Sequence, residues 1–145
     1  MIHTKRRKED PSPYKISPNK DKRVALILNH QSFDSFHPCS EGQEGPWHSR
    51  KFTALDPREG TKADSERLKK VLVHEKFNFS VTVKDDQNLE EIKGLVSDIL
   101  ERDPTPEIIA VFILTHGRSN GYLAAKDTWY SFDDVIRTPL TPTKD

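Results

Sequence analysis

The sequence predicts an α/β fold built around a mainly parallel sheet. Three observations carry that prediction. Residues 24–28 and 108–114 are continuous apolar runs of strand length, the pattern of strands covered on both faces. Between them, two segments starting near Thr61 and Asn88 repeat apolar residues at helical spacing. A run at 79–83 with alternating polarity separates the two helical segments, so the order is strand, helix, strand, helix, strand. Right-handed crossovers lay such a chain into a parallel sheet with helices on one or both of its faces.

The first strand, Val24-Ala25-Leu26-Ile27-Leu28, follows a segment interrupted by Pro11, Pro13 and Pro18, so order is expected to begin near Lys22. Residues 29–59 show no period and collect Pro38, Gly42, Gly45, Pro46 and Pro57, which reads as a long surface loop. Thr61 then offers an N-cap hydroxyl with Asp64 three residues on, and Leu68, Val71 and Leu72 carry the first helix to about His74. In the second strand Phe79, Val81 and Val83 alternate with Ser80 and Thr82, as a half-buried or edge strand would. Asn88 with Glu91 repeats the capping pattern, and Leu89, Ile92, Leu95, Val96, Ile99 and Leu100 form an apolar stripe that ends before Pro104. After the third strand, residues 122–125 and 128–130 pair as a hairpin across Lys126-Asp127, and Ser131 caps a short helix over 132–137. The two most apolar strands belong together at the centre, with the weaker second strand outside the first, giving the order 2-1-3.

Composition bounds the rest. The 145 residues suit one domain, and a mean hydropathy of -0.77 with 33% hydrophobic residues suits a small core with polar loops. Lys and Arg number 23 and Asp and Glu 23, so no net field draws the chain to nucleic acid or to a membrane. The imbalance is local: Lys5, Arg6, Arg7, Lys8, Lys15, Lys20, Lys22 and Arg23 face only Glu9, Asp10 and Asp21. Residues 1–21 are therefore expected to form a basic, proline-containing disordered arm, and 22–145 the domain. Lys5-Arg6-Arg7-Lys8 also has the composition of a nuclear-targeting or acidic-partner patch. No run approaches the roughly 20 apolar residues of a membrane helix, and Met1-Ile2-His3-Thr4 leads into charge rather than a signal core, so a cytoplasmic location is expected. The single cysteine, Cys39, has no internal partner, which agrees with a reducing compartment.

In parallel α/β sheets, ligands bind beyond the carboxyl ends of the strands where connections leave in opposite directions, here between strands one and three. Thr115-His116-Gly117 emerges there, and Arg58-Glu59-Gly60 is delivered to the same end. An imidazole exchanges protons near neutral pH, a glycine lets a substrate approach its backbone N–H, and a guanidinium clasps a carboxylate with two bonds. On position alone the plainer reading prevails, in which His116 caps the strand end, Gly117 turns the chain and Arg58 is one more surface charge. Asn29-His30-Gln31-Ser32-Phe33 contains no glycine, which disfavours a nucleotide-phosphate loop after the first strand. Asp85-Asp86 reads as a solvated strand end rather than a phosphoacceptor. His37, Cys39 and His48 lack the usual spacing of a structural zinc site, so neither a metal nor a cofactor is expected.

Three segments, Tyr14-Lys15-Ile16 through Arg23-Val24-Ala25-Leu26-Ile27-Leu28-Asn29-His30, Arg58-Glu59-Gly60-Thr61-Lys62-Ala63-Asp64, and Phe112-Ile113-Leu114-Thr115-His116-Gly117, together resemble the large-subunit pattern of caspases. The resemblance spans about residues 14–137, and Ala125-Lys126-Asp127-Thr128 is similar to insect executioner members. It implies a caspase-like three-layer sandwich and an endopeptidase of apoptosis or proteolytic signalling that cuts after aspartate. It also implies that His116 is the catalytic histidine, that Gly117 supplies an oxyanion N–H and that Arg58 helps hold the substrate aspartate. The implied partners are aspartate-containing protein substrates, a small subunit, a second protomer and caspase inhibitors.

The family's nucleophile is expected in a Gln-Ala-Cys-x-Gly segment about 50 residues after the histidine. This sequence stops 29 residues after His116 (145 minus 116) and contains no such segment. Cys39 lies in the wrong loop to replace it, Lys62 stands where many members carry an acid, and the 31–57 loop is long for the family. Two functions follow: an enzyme fragment that is inactive alone, or a truncated non-enzymatic homologue that binds and modulates caspases. A plain α/β binding domain is the third alternative. An unpaired edge on the apolar third strand would be an aggregation hazard, which favours the fragment.

Overall fold

The computed structural model describes residues 22–34 and 55–143. The basic arm and Cys39, His37 and His48 lie outside them. Strand β1 (Arg23–Asn29) is the middle of a three-stranded parallel sheet, flanked by β2 (Ser80–Asp85) and β3 (Ile108–Leu114) in the order β2-β1-β3. The register pairs Val24 with Ser80 and Ile109 and carries Asn29 to Asp85 and Leu114, so the three carboxyl ends finish level.

Alternation along β1 explains the three layers. Val24, Leu26 and Leu28 point to one face and pack with Ile92, Val96 and Ile99 of helix α2 (Leu89–Leu100). Ala25 and Ile27 point to the other, against Leu72 of helix α1 (Thr61–Val73). A strand covered on both faces cannot spare a polar residue, which is why its run is unbroken. The predicted sheet order and the helix on each face are both found.

The Asn88 cap is also found: its side-chain oxygen accepts the Glu91 N–H at 2.8 Å, with Glu90 and Glu91 in the first turn. Asn88→Ala is expected to cost about 1 kcal/mol, seen as a lower urea midpoint with an unchanged slope.

Two expectations fail. Thr61 does not cap α1. Gly60 does, with a φ of 80° that places it in the left-handed region glycine enters without steric cost. Thr61 becomes the first helical residue, 1% exposed, and its hydroxyl donates to Asn29 Oδ1 at 2.5 Å. Strand β3 is not fully buried either: Ile109, Val111 and Ile113 pack on the α2 side and Ala110, Phe112 and Leu114 on the α1 side, but all seven residues are only half-buried, and among the described residues it pairs only with β1.

The hairpin forms as strands β4 (Tyr122–Ala124) and β5 (Trp129–Ser131). The Ser131 hydroxyl accepts the Asp134 N–H at 3.3 Å, as expected, but the helix opens as a wide π-type turn, Asp133–Arg137. It then continues into α3 (Thr138–Leu140), three residues past the expected end.

Candidate active site

Asn29 and His30, at the carboxyl end of β1, are 2% and 0% exposed although both are polar. Asn29 is fully engaged: its amide donates to Asp85 Oδ1 at 3.0 Å and its carbonyl oxygen takes the Thr61 hydroxyl. Asp86 turns its Oδ1 to the N–H groups of Gln31 and Ser32 at 2.8 and 3.0 Å. Partial burial acts to raise the Asp86 carboxyl, and those N–H bonds outweigh it, so the group sits below the ordinary carboxylate range.

Residues 55–60 bring the two principal candidates to the same rim. His116 follows β3 directly, and its Nε2 lies 2.7 Å from the carbonyl oxygen of Asp56. A carbonyl only accepts, so Nε2 carries the hydrogen and Nδ1 keeps its lone pair. Two residues after Asp56, Arg58 donates from Nη1 to His30 O at 3.1 Å and to Thr61 Oγ1 at 2.9 Å. Its backbone N–H also ties back to Gln31 O at 2.9 Å. Both side-chain bonds leave from one nitrogen, so among the described residues Nη2 and Nε keep their donors for a ligand.

Gly117 is held in a short antiparallel ladder. Arg118 N donates to Tyr122 O, Ala124 N donates to His116 O, and Gly117 bridges Leu123 between them. In such a non-hydrogen-bonded pair the N–H points away from the partner strand, so that of Gly117 turns away from β4. A Cβ there would meet Leu123 and Tyr122 O only at 3.8 Å, ordinary contact, so space around the glycine does not demand it. Arg118 lies over the Trp129 ring, 5.0 Å from its centroid.

The sequence reading passes over His30 and Phe33. Their rings lie nearly parallel, 6.1 Å apart at 17°, and Phe33 sits 5.1 Å from His116. Burial pushes the His30 imidazole below its ordinary value, with opposing pulls from Asp86 and Asp85 and a push from Arg58. The signal was present in the sequence: two polar residues closing an otherwise apolar central strand, where ligands bind.

The sign of the pH effect follows. A base lowered in the fold leaves stability whole above its ordinary value of about 6.5, and costs stability as pH falls below it, because the unfolded chain then binds the extra proton. Asp86, a lowered acid, loses its contribution only below about pH 4. Denaturant midpoints should therefore fall as pH drops below about 6.5, and His30→Phe should flatten that decline.

Among the described residues no group of three or more His, Cys, Asp or Glu side chains is placed to hold a metal, and no helix is long and apolar enough to cross a membrane.

Fold and rim together define a class: a parallel α/β protein that presents an imidazole and a guanidinium beyond the carboxyl ends of its central strands. Residues 22–144 match the caspase domain family model, and the chain belongs to that family. It is 37% identical over 125 residues to Caspase-1 of Drosophila melanogaster, covering 86% of this chain and 32% of that protein. To Caspase-1 of Spodoptera frugiperda it is 34% identical over 125 residues, covering 86% and 35%. The crystal structure of Caspase-1 from Spodoptera frugiperda superposes with a TM-score of 0.64 at 33% identity, over 89% of this chain and 44% of the other. The structure of pro-sf-caspase-1 gives 0.62 at 33% identity, over 89% and 47%. The chain thus spans about a third of the length of these curated relatives.

Proposed function

We propose that residues 22–145 are the large-subunit portion of a cysteine-type endopeptidase that cuts after aspartate in proteolytic signalling, including apoptosis. The carrying observation is that one loop, 55–60, fixes the His116 tautomer through Asp56 and presents Arg58 two residues later. In this reading, Arg58 grips the substrate aspartate with the fork left on Nη2 and Nε, for which two carboxylate oxygens are the matching acceptors. A cysteine thiol, contributed from outside this chain, gives its proton to His116 and attacks the peptide carbonyl. The bond between carbonyl carbon and nitrogen then breaks as His116 returns the proton to the departing amine, while the Gly117 N–H steadies the negative oxygen.

The chain alone is then inactive. Its partners are aspartate-containing proteins, a small subunit bearing the rest of the groove, a second protomer and caspase inhibitors. A half-buried β3 paired on one side supports further strands joining there. Residues 1–21 form a basic arm, and the enzyme is cytoplasmic and made as a zymogen.

The test is cleavage by the gene product extended through a thiol-bearing segment, assayed on two peptides that differ only as Asp or Asn before the bond. Cleavage of the aspartate peptide alone is expected, and equal cleavage of both, or of neither, contradicts the proposal.

A further inference from the structure

We propose that His30 is a positioning residue of this site: its neutral ring seats Phe33 against His116, and its protonation releases that contact. The site is then assembled near neutral pH and loosened in mild acid. Its meaning as regulation rests on the protease reading, but the contact itself does not.

His30 is fully buried, and among the described residues neither ring nitrogen has a hydrogen-bond partner. An unsatisfied buried polar group costs about 1–3 kcal/mol, and a phenylalanine in the same slot would avoid that. The chain nevertheless places a titratable ring where it joins the two flanks of the site. Its N–H bonds Leu114 O, two residues before His116, and its carbonyl accepts Arg58 Nη1. Its ring stacks on Phe33, which in turn packs on His116.

The charged and titratable groups facing it come from three connections. Arg58 lies on the loop before α1, Asp85 and Asp86 lie at and just beyond the end of β2, and His116 stands across Phe33 after β3. A protonated His30 would hold two donors with no acceptor in its present seat. Arg58 repels it, and Asp86 attracts it more strongly than Asp85 does. Asp86 already binds the Gln31 and Ser32 N–H groups, so a ring drawn toward it shifts the backbone that carries Phe33. A charged ring that leaves this acceptor-free seat gives up its stacking on Phe33.

The experiment uses this chain and nuclear magnetic resonance. The Phe33–His116 ring-to-ring proton contact and the imidazole nitrogens are followed from about pH 7.5 to about pH 5. The contact is expected to vanish with the midpoint of His30's own titration. His30→Phe is expected to retain it throughout, and Asp86→Asn to move its loss to lower pH. A contact that persists to the acid end, whose loss does not coincide with the titration of His30, or that is lost equally in His30→Phe overturns the proposal. Should His30→Phe not fold, the coincidence of midpoints in the unaltered chain decides alone. None of these readouts involves cleavage, so an inactive extended product would sink the protease reading and leave this result standing.

Discussion

His116→Ala, made in the gene product extended through a thiol-bearing segment, is expected to lower kcat/KM for cleavage after aspartate by at least about a hundredfold to ten-thousandfold, the range for a positioned acid–base group. In the proposed mechanism, removing the imidazole removes both proton transfers, from the attacking thiol and to the departing amine. The loss should then fall on kcat more than on KM, because in that mechanism the ring acts on the reacting atoms rather than on the substrate side chain. The fold should survive, since His116 is only half-buried and, among the described residues, its one side-chain hydrogen bond is to the Asp56 carbonyl on the site rim. Steady-state kinetics with unchanged thermal unfolding would meet this expectation. A variant that retains most of its activity would show that another group moves the proton.

Arg58→Lys comes second. A lysine keeps the charge but not the fork, and its single nitrogen cannot serve His30 O and Thr61 Oγ1 and still offer two donors to a carboxylate. Each hydrogen bond to a charged group is worth about 1.5–3 kcal/mol, so losing one costs roughly tenfold to more than a hundredfold in kcat/KM. The preference for aspartate over asparagine should shrink by the same factor, a readout that a purely structural defect would leave alone. Equal discrimination in both forms would remove Arg58 from substrate recognition.

Much of the fold was legible because it rests on local rules. Unbroken apolar runs mark strands with two covered faces, and Asn88 and Glu91 mark a helix start. The hairpin between Tyr122 and Ser131 follows from alternation around Lys126-Asp127. The failures are tertiary. Thr61 has the chemistry of a cap, but its hydroxyl is claimed by Asn29, 32 residues away, and glycine's left-handed φ lets the helix begin without it. Apolar composition made β3 look central, yet coverage depends on neighbours that its own sequence does not name. At the site, residue type and position made His116, Gly117 and Arg58 candidates, and the resemblance to caspases, not position, gave them their expected roles. Of the supporting shell, His30 left a trace, a polar residue closing an apolar central strand, whereas Asp56 and Phe33 act through a backbone carbonyl and a ring contact that leave no pattern in the chain.

In the proposed enzyme the His116 rim serves a nucleophile encoded beyond this sequence, which reading the transcript through the codon for Asp145 to the first stop would reveal. A Gln-Ala-Cys-x-Gly segment in frame, about 50 residues after His116, is the predicted result. An immediate stop would contradict it, leaving a product without that thiol and making a non-enzymatic, caspase-binding homologue the reading to pursue.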